Sequence, residues 1–348
     1  MVSLQNQFNK FDGNIYLTWQ DEKLKKIREK DESIKEDIIN DFKEKGYPVI
    51  ESFKQGSYIT NTTIEPIDGE YDIDVGIVIS AEKAPEDPID VKKSLRDVLS
   101  LRNFKEPKIK KPCVTAQYYK AGEKHFHLDY PVYKKNDNNI YYLAVGKEHS
   151  QKEQRSWEES DPKGLIDWLN DKNAFDNDDS YQQYKRLIRY TKRWRDYCIP
   201  ESEQKKIYSI GLSVMIKESF VKSISADGDI NDLLALKVTV QRILIKYFRC
   251  TDYAEKKYVV QVKLPVRPYR DIFEKHGNTV GTLLYNKFEK LKEKLDSVYE
   301  EPSLVKQCET LNKDIFGSDF PIPDDDDDTK SANKTFKEPG YIASPQGA

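Results

Sequence analysis

Cysteine is scarce: Cys113, Cys198, Cys250 and Cys308 are the only four, and none forms a C-x-x-C pair. They read as reduced, mostly structural thiols of a cytosolic protein. Histidine is as rare, with four in all. His125 and His127 flank a phenylalanine in a strand-like run, but no cysteine or further histidine stands at zinc spacing nearby. Two ligands do not make a site, so both histidines are read as structural. No apolar run approaches the length of a membrane span and the N-terminus has no signal-peptide pattern, so a cytoplasmic protein without membrane contact is expected. Charge of one sign is also missing. The net charge of −3 carries no global nucleic-acid signature, so any recognition of phosphate must be local.

What is present is a chain of 348 residues, 34% charged and 37% hydrophobic, enough for one large domain or two intimate ones. Its organising stretch runs from Gln55 to Ile79, QGSYITNTTIEPIDGEYDIDVGIVI. The Ile- and Val-rich run YDIDVGIVI reads as a strand. Residues two apart in a strand share a face, so Asp72 and Asp74 project side by side, roughly 7 Å apart at the backbone. Two like charges so close are costly unless a cation neutralises them. A pair of divalent ions about 4 Å apart is the device that aligns attacking and leaving oxygens in phosphoryl chemistry. A lone D-x-D matches by accident often. Here the apolar run continues past Asp74, where charge should be rare. The turn glycines and spread oxygens of a calcium loop are missing.

Asp129, in HFHLDYPVY, is a third acidic residue inside an aromatic and apolar strand; the competing reading is a bulge or edge aspartate. The trio is oxygen-only and suits magnesium or manganese. Gly56 lets the backbone approach a phosphate closely, and Ser57 offers a hydroxyl and an N–H. Thr60, Asn61 and Thr62 are expected in the first turn of a helix whose N-terminus attracts anions. Basic residues are sought in KRLIRYTKRWRD, which carries Lys185, Arg186, Arg189, Lys192, Arg193 and Arg195. Most should form a solvated face, with one or two reaching into a cleft.

Taken in order, the pattern predicts a short lead-in helix within residues 1–20. A long charged helix follows over 21–45, with a stripe at Leu24, Ile27, Ile34, Ile38 and Phe42, stopped by Pro48. A strand over 49–53 precedes the central stretch. A helix over 91–101 should turn Leu95, Val98 and Leu101 to one side. Strands are expected over 113–119, 126–133 and 140–145, parted by turns at Ala121-Gly122 and Asn136–Asn139. From Trp157 the pattern turns helical: 162–170, a long helix capped by Ser180 and running through Cys198, then 207–220, 232–248, 279–299 and 303–316. Residues 324–348 begin with five aspartates and stay polar, so they read as a disordered acidic tail.

The combination QGSY, D-I-D and L-D-Y resembles the polymerase-beta-like nucleotidyltransferase superfamily. SWEESDPKGLIDWL, RLIRYTKRWRD, YSIGLSVMI, KLPVRPYRDIF and DIFGSDFPIP narrow the likeness to the bacterial cyclic-oligonucleotide synthases (CD-NTases) of CBASS anti-phage signalling. These are relatives of animal cyclic GMP-AMP synthase and oligoadenylate synthase. The matching segments span nearly the whole chain from Gln5 to Pro323. The resemblance implies an α+β fold, with a nucleotidyltransferase core of mixed sheet and helices over 1–150, a helical lobe over 151–323, and a cleft between them. It implies that Asp72, Asp74 and Asp129 bind two Mg2+ (or Mn2+) ions, that Gly56 and Ser57 hold the donor triphosphate, that Lys192 and Ser209 touch phosphate, and that Gln55 and Tyr58 line the nucleotide. The implied chemistry is attack by a ribose hydroxyl of one NTP on the α-phosphate of another, releasing pyrophosphate, followed by ring closure. ATP and GTP are the expected substrates, with a cyclic-nucleotide-activated effector downstream.

The same likeness gives the tail a second reading, conjugation by an E1/E2-like protein through the small residues Gly347 and Ala348. Two other functions remain open on sequence: a sister nucleotidyltransferase acting on a polymer or small molecule, and a catalytically dead nucleotide-binding scaffold. A polymer substrate should demand a broad basic track, which near-neutral charge disfavours.

Overall fold

The computed structural model describes residues 3–67, 71–101, 104–120 and 123–323. The acidic tail and the Ala121-Gly122 turn lie outside the described residues. Helix α1 (Leu4–Ile15) is capped by the Ser3 hydroxyl. It is followed by α2 (Glu22–Glu44), β1 (Val49–Gln55), the single turn α3 (Gly56–Ile59), β2 (Tyr71–Ser80) and α4 (Pro88–Leu101). Then come β3 (Lys105–Ile109), β4 (Val114–Lys120), β5 (Glu123–Tyr130), β6 (Val132–Lys135), β7 (Tyr141–Val145) and β8 (Ser156–Ser160). The remainder is mainly helical: α5 (Pro162–Asn170), α6 (Asp178–Cys198), α7 (Glu201–Gln204), α8 (Ser209–Ser219), α9 (Asp232–Tyr247), α10 (Gly277–Glu300) and α11 (Leu304–Thr310). A hairpin of β9 (Phe248–Asp252) and β10 (Lys257–Val260) interrupts it. The architecture is α+β, a mixed sheet with helices joined to a helical portion.

Eight strands form one sheet around β2. β1 runs antiparallel along one side of β2, with Gln55 opposite Asp74. β5 and β6 lie parallel to it: Tyr71↔Phe126 through Asp74↔Asp129 continues as Ile77↔Val132 through Ser80↔Lys135. The run expected as one strand over 126–133 therefore keeps one register on β2. It is divided at Pro131, which has no N–H for a ladder, while the Pro131 carbonyl still accepts from Ile77 N at 3.0 Å. Beyond that proline the outer partner changes from β4 to β7.

Strand periodicity sorts the faces of β2. Ile73, Val75, Ile77 and Ile79 are buried in one cluster with the α2 stripe Leu24, Ile27, Ile34, Ile38 and Phe42, and with Val91, Leu95, Val98 and Leu99 of α4. Asp72, Asp74, Gly76 and Val78 point to the other face. There Val78 packs with Tyr133, Tyr141, Leu143 and Val145. One helix layer thus covers the back of the sheet, and the aspartates face the cleft.

Several expectations are corrected. Leu101 is 84% exposed; as the last residue of α4 it runs past the sheet, and Leu99 takes the inward position. The N-cap of α6 is Asn177, with Ser180 as its partner in a capping box. β8 pairs with β7, so the sheet continues past residue 150. Phe8, Phe11 and Ile15 of α1 pack with Tyr190 of α6 and with Phe316 and Phe320 beyond α11, so the N-terminal helix joins the helical cluster rather than the sheet.

Candidate active site

The chain turns at Gly56. Its φ of +72° suits glycine, and a side-chain carbon there would run into the Asp74 carboxylate, 3.2 Å from its Cγ. Thr60, Asn61 and Thr62 do not open a helix; they follow α3, where Thr60 Oγ1 donates to the Gly56 carbonyl at 3.1 Å and Thr62 N to the Ser57 carbonyl at 3.0 Å. The Ser57 hydroxyl lies 3.2 Å from that of Thr63. Gly56 and Ser57 are thereby fixed against the D-x-D strand, with Gln55 across from Asp74.

Asp129 stands opposite Asp74 across the β2–β5 ladder, and His127 opposite Asp72. All four side chains therefore project from one sheet face. Burial, then the Asp72 and Asp129 charges, push the Asp74 carboxyl well above the usual carboxylate range, against the weaker pull of Lys110 and Lys192. Asp129 accepts a hydrogen bond from the Thr115 hydroxyl, with Lys110 Nζ at 3.9 Å and His127 Nε2 at 3.8 Å. Among the described residues no three His, Cys, Asp or Glu side chains are drawn together tightly enough to hold a metal ion. The donor set nevertheless fits a hard cation: three carboxylates share one face, and ionisation of the buried one is opposed by its neighbours unless a cation balances it.

In front of these groups lies a cavity of about 930 Å³. Gln55, Gly56, Ser57, Asp72 and Asp74 line it from the sheet side, and Lys192, Arg195 and Ser209 from the helical side. Asp129 is not among the lining residues; it sits behind the rim, turned to Thr115. Gln55 is held by the Tyr133 hydroxyl, which donates to its Oε1 at 3.0 Å. Tyr58 is corrected: it does not line the cavity. Its hydroxyl accepts from Arg28 Nη1 at 3.0 Å and its ring lies under Lys54, so it ties the turn to α2. Ser209 opens α8, and its hydroxyl accepts from Arg195 Nη1 at 2.6 Å.

The basic helix α6 is not a solvated face. Lys185, Arg189, Lys192 and Arg193 are all buried and donate to successive carbonyls of the segment that follows α3. Lys185 Nζ reaches Thr60 O at 2.9 Å, Arg189 Nη1 reaches Asn61 O at 3.0 Å, Lys192 Nζ reaches Thr62 O at 2.8 Å, and Arg193 Nη2 reaches Glu65 O at 2.6 Å. Spacings of four, three and one along the helix keep them on one side. That row was visible in the sequence; its partners, more than a hundred residues away, were not. Burial, then Arg195, lowers the Lys192 amine to about 8, with Asp72 opposing. It stands at the cavity wall.

Known proteins share part of this sequence and its fold. Residues 2–173 match the model of the Second Messenger Oligonucleotide or Dinucleotide Synthetase (SMODS) domain. A stretch of 181 residues is 32% identical to a cyclic GMP-AMP synthase of Escherichia albertii; it covers 50% of this chain but only 38% of that protein. Two solved structures share the fold. The Vibrio cholerae DncV cyclic AMP-GMP synthase with nonhydrolysable GTP gives a TM-score of 0.59 at 19% identity, over 92% of this chain and 82% of that one. Escherichia coli MS115-1 CdnC with ATP gives 0.60 at 17%, over 91% and 98%.

Proposed function

Residues 2–173 belong to the second-messenger oligonucleotide or dinucleotide synthetase family, and from that premise we propose that the protein condenses nucleoside triphosphates into a cyclic di- or trinucleotide, releasing pyrophosphate. The observation that carries the proposal is the register of β1, β2 and β5. It brings Gln55-Gly56, Asp74 and Asp129 side by side, the first three at the wall of a cavity large enough for nucleotides.

In this reading Gly56 and Ser57 seat the donor triphosphate, and Lys192 and Ser209 approach it from the helical side. The Lys192 amine exchanges the Thr62 carbonyl for a phosphate oxygen, a stronger acceptor because it is charged. Asp72, Asp74 and Asp129 hold two Mg2+ or Mn2+ ions, which supply neutralisation of the charge that develops on the attacked phosphate. Asp129, freed from Thr115, faces the incoming ribose hydroxyl and favours its loss of a proton. ATP and GTP are the proposed substrates, in keeping with the nucleotides named in the solved relatives. No described helix is long and apolar enough to cross a membrane. The family resemblance supports a cytoplasmic role in anti-phage signalling, with a cyclic-nucleotide-activated effector as the downstream partner and conjugation of the C-terminus by an E1/E2-like protein.

Incubation with the four labelled NTPs and Mg2+ or Mn2+, followed by phosphatase, tests the activity. A phosphatase-resistant product is expected. A product formed only with an added polymer or small-molecule acceptor would replace this reading with the sister transferase, and tight binding without turnover would replace it with a scaffold.

A further inference from the structure

Helix α4 carries a lysine on its buried side that the proposed chemistry leaves unused. Lys92 is fully buried. Among the described residues its amine meets no carboxylate. It donates instead to four backbone carbonyls: Lys110 O at 2.7 Å, Gly146 O at 2.8 Å, Lys111 O at 2.9 Å and Ala144 O at 3.3 Å. An ammonium group has three donors, so one of them is shared. Burial lowers the amine to about 8, with Cys113 opposing. A ring of carbonyl oxygens is the arrangement that holds a desolvated monovalent cation. Here the cation is tethered to a helix.

The carbonyls come from two segments that meet where the outer partner of the sheet changes from β4 to β7. Lys110 and Lys111 turn the chain from β3 into β4, and Lys110 N donates to Cys113 O at 2.9 Å. Ala144 and Gly146 lie at the end of β7, and Gly146 N donates to Lys111 O at 3.0 Å. Gly146 has a φ of +135°, and a side-chain carbon there would lie 3.0 Å from Ile89 Cδ1 of α4. Glycine therefore lets this carbonyl turn toward Lys92. The joint also carries two groups that meet Asp129. Thr115 stands opposite Asp129 in the β4–β5 ladder and donates its hydroxyl to that carboxylate. Lys110 Nζ lies 3.9 Å from Asp129 Oδ1. Between them, Pro112 and Cys113 line the cavity.

We propose that Lys92 is a positioning residue for the reaction: it stands in for a bound monovalent cation at the joint of β4 and β7, and sets the turn from which Thr115 and Lys110 reach Asp129. The inference rests on the cyclic-nucleotide synthase reading and adds to it a residue that lies outside the cleft. Without the amine, four carbonyl dipoles face one another with no donor between them, and the turn relaxes away from β7. Asp129 then loses the frame that holds it beside Asp74. Groups that orient a metal-binding carboxylate typically contribute about 10- to 100-fold in metal affinity, and a displacement of about 1 Å at a reacting group costs about 10²-fold in rate.

The test is Lys92→Ala in the full chain, in sodium buffer, with kcat and KM for product formation and Mn2+ affinity by electron paramagnetic resonance. The kcat should fall about 10²-fold and Mn2+ affinity about 10-fold or more. KM should stay unchanged, because Gly56, Ser57 and Lys192 are held by other contacts. Potassium or methylammonium can enter the emptied ring and should restore both quantities. Tetramethylammonium at the same ionic strength has no N–H and is too large, and should restore neither. A side chain that only packs α4 on the sheet would lower Tm and show no such choice of cation. The inference is overturned by a folded variant with wild-type kcat and Mn2+ affinity, by a loss that no small cation restores, or by equal restoration with tetramethylammonium. If Lys92→Ala does not fold, Lys92→Met decides, since it keeps the stem without the charge. Lower kcat at unchanged KM with weaker Mn2+ binding supports the assignment, and wild-type values overturn it. A wild type that forms no product and binds no Mn2+ would sink the synthase reading itself, a different result from a loss confined to the variant.

Discussion

Replacing Gly56 by alanine separates the cost of a backbone shape from the cost of moving a carboxylate. At φ +72° an alanine is strained by about 1–2 kcal/mol, a fall in Tm of a few degrees for a chain of this size. The added carbon also collides with the Asp74 carboxylate, which has one short rotatable stem and must swing away from Asp72 and Asp129. Displacing such a charge-stabilising group should lower product formation by about 10²-fold or more. Gly46→Ala is the matched control: its φ is +88° with nothing within 4 Å of the new carbon, at the end of α2 and away from the cleft. It should show a similar fall in Tm with wild-type product formation. The assay is chromatographic quantitation of product beside a thermal melt. Wild-type turnover in the Gly56 variant, or equal loss in both, would refute the reasoning.

Asp74→Asn removes a buried carboxyl whose ionisation burial, Asp72 and Asp129 oppose; without added metal it should raise Tm while abolishing product, and a lower Tm would contradict the electrostatic account. Arg189→Ala breaks a buried bidentate pair with Asp12, at 2.7 Å on both nitrogens, and should cost about 3–5 kcal/mol in urea unfolding. Lys185 titrates near neutrality: burial, then Lys217, Arg189 and Lys192, lower it to about 7. Because the folded value lies below the ordinary lysine value of 10.5, the unfolded chain binds the extra proton between about pH 7 and 10, and stability rises with pH through that window. Lys185→Met should flatten the rise in melting curves taken from pH 7 to 9; an unchanged slope would show that the amine is not the titrating group.

The carboxylates were legible because strand periodicity is short and strict. Asp72 and Asp74 interrupt an apolar run at a spacing of two, so their shared face followed from the sequence alone, whereas Asp129 joins that face through the β2–β5 register. The glycine at position 56 was legible for a similar reason. Position 58 was not, since whether Tyr58 faces cavity or α2 depends on the turn that Gly56 initiates. The α6 cations were misjudged because burial of a charged side chain depends on acceptors supplied elsewhere, here the carbonyls of Thr60 to Glu65. Strands β3 and β8 were missed for the same reason. KEPKI and SWEES are polar and short, and they become strands through β4 and β7. Leu101 shows the opposite error, where helical spacing continued the stripe beyond the sheet it covers.

The claim on which the rest depends is that three carboxylates grip divalent ions under a triphosphate. Anomalous diffraction from crystals grown with Mn2+ and a nonhydrolysable ATP analogue tests it most directly. The account predicts two peaks about 4 Å apart, bounded by Asp72, Asp74 and an Asp129 that has left Thr115, with the phosphates against Gly56 and Ser57. Nucleotide bound with no manganese at these carboxylates, or manganese bound while Asp129 stays on Thr115, would contradict it.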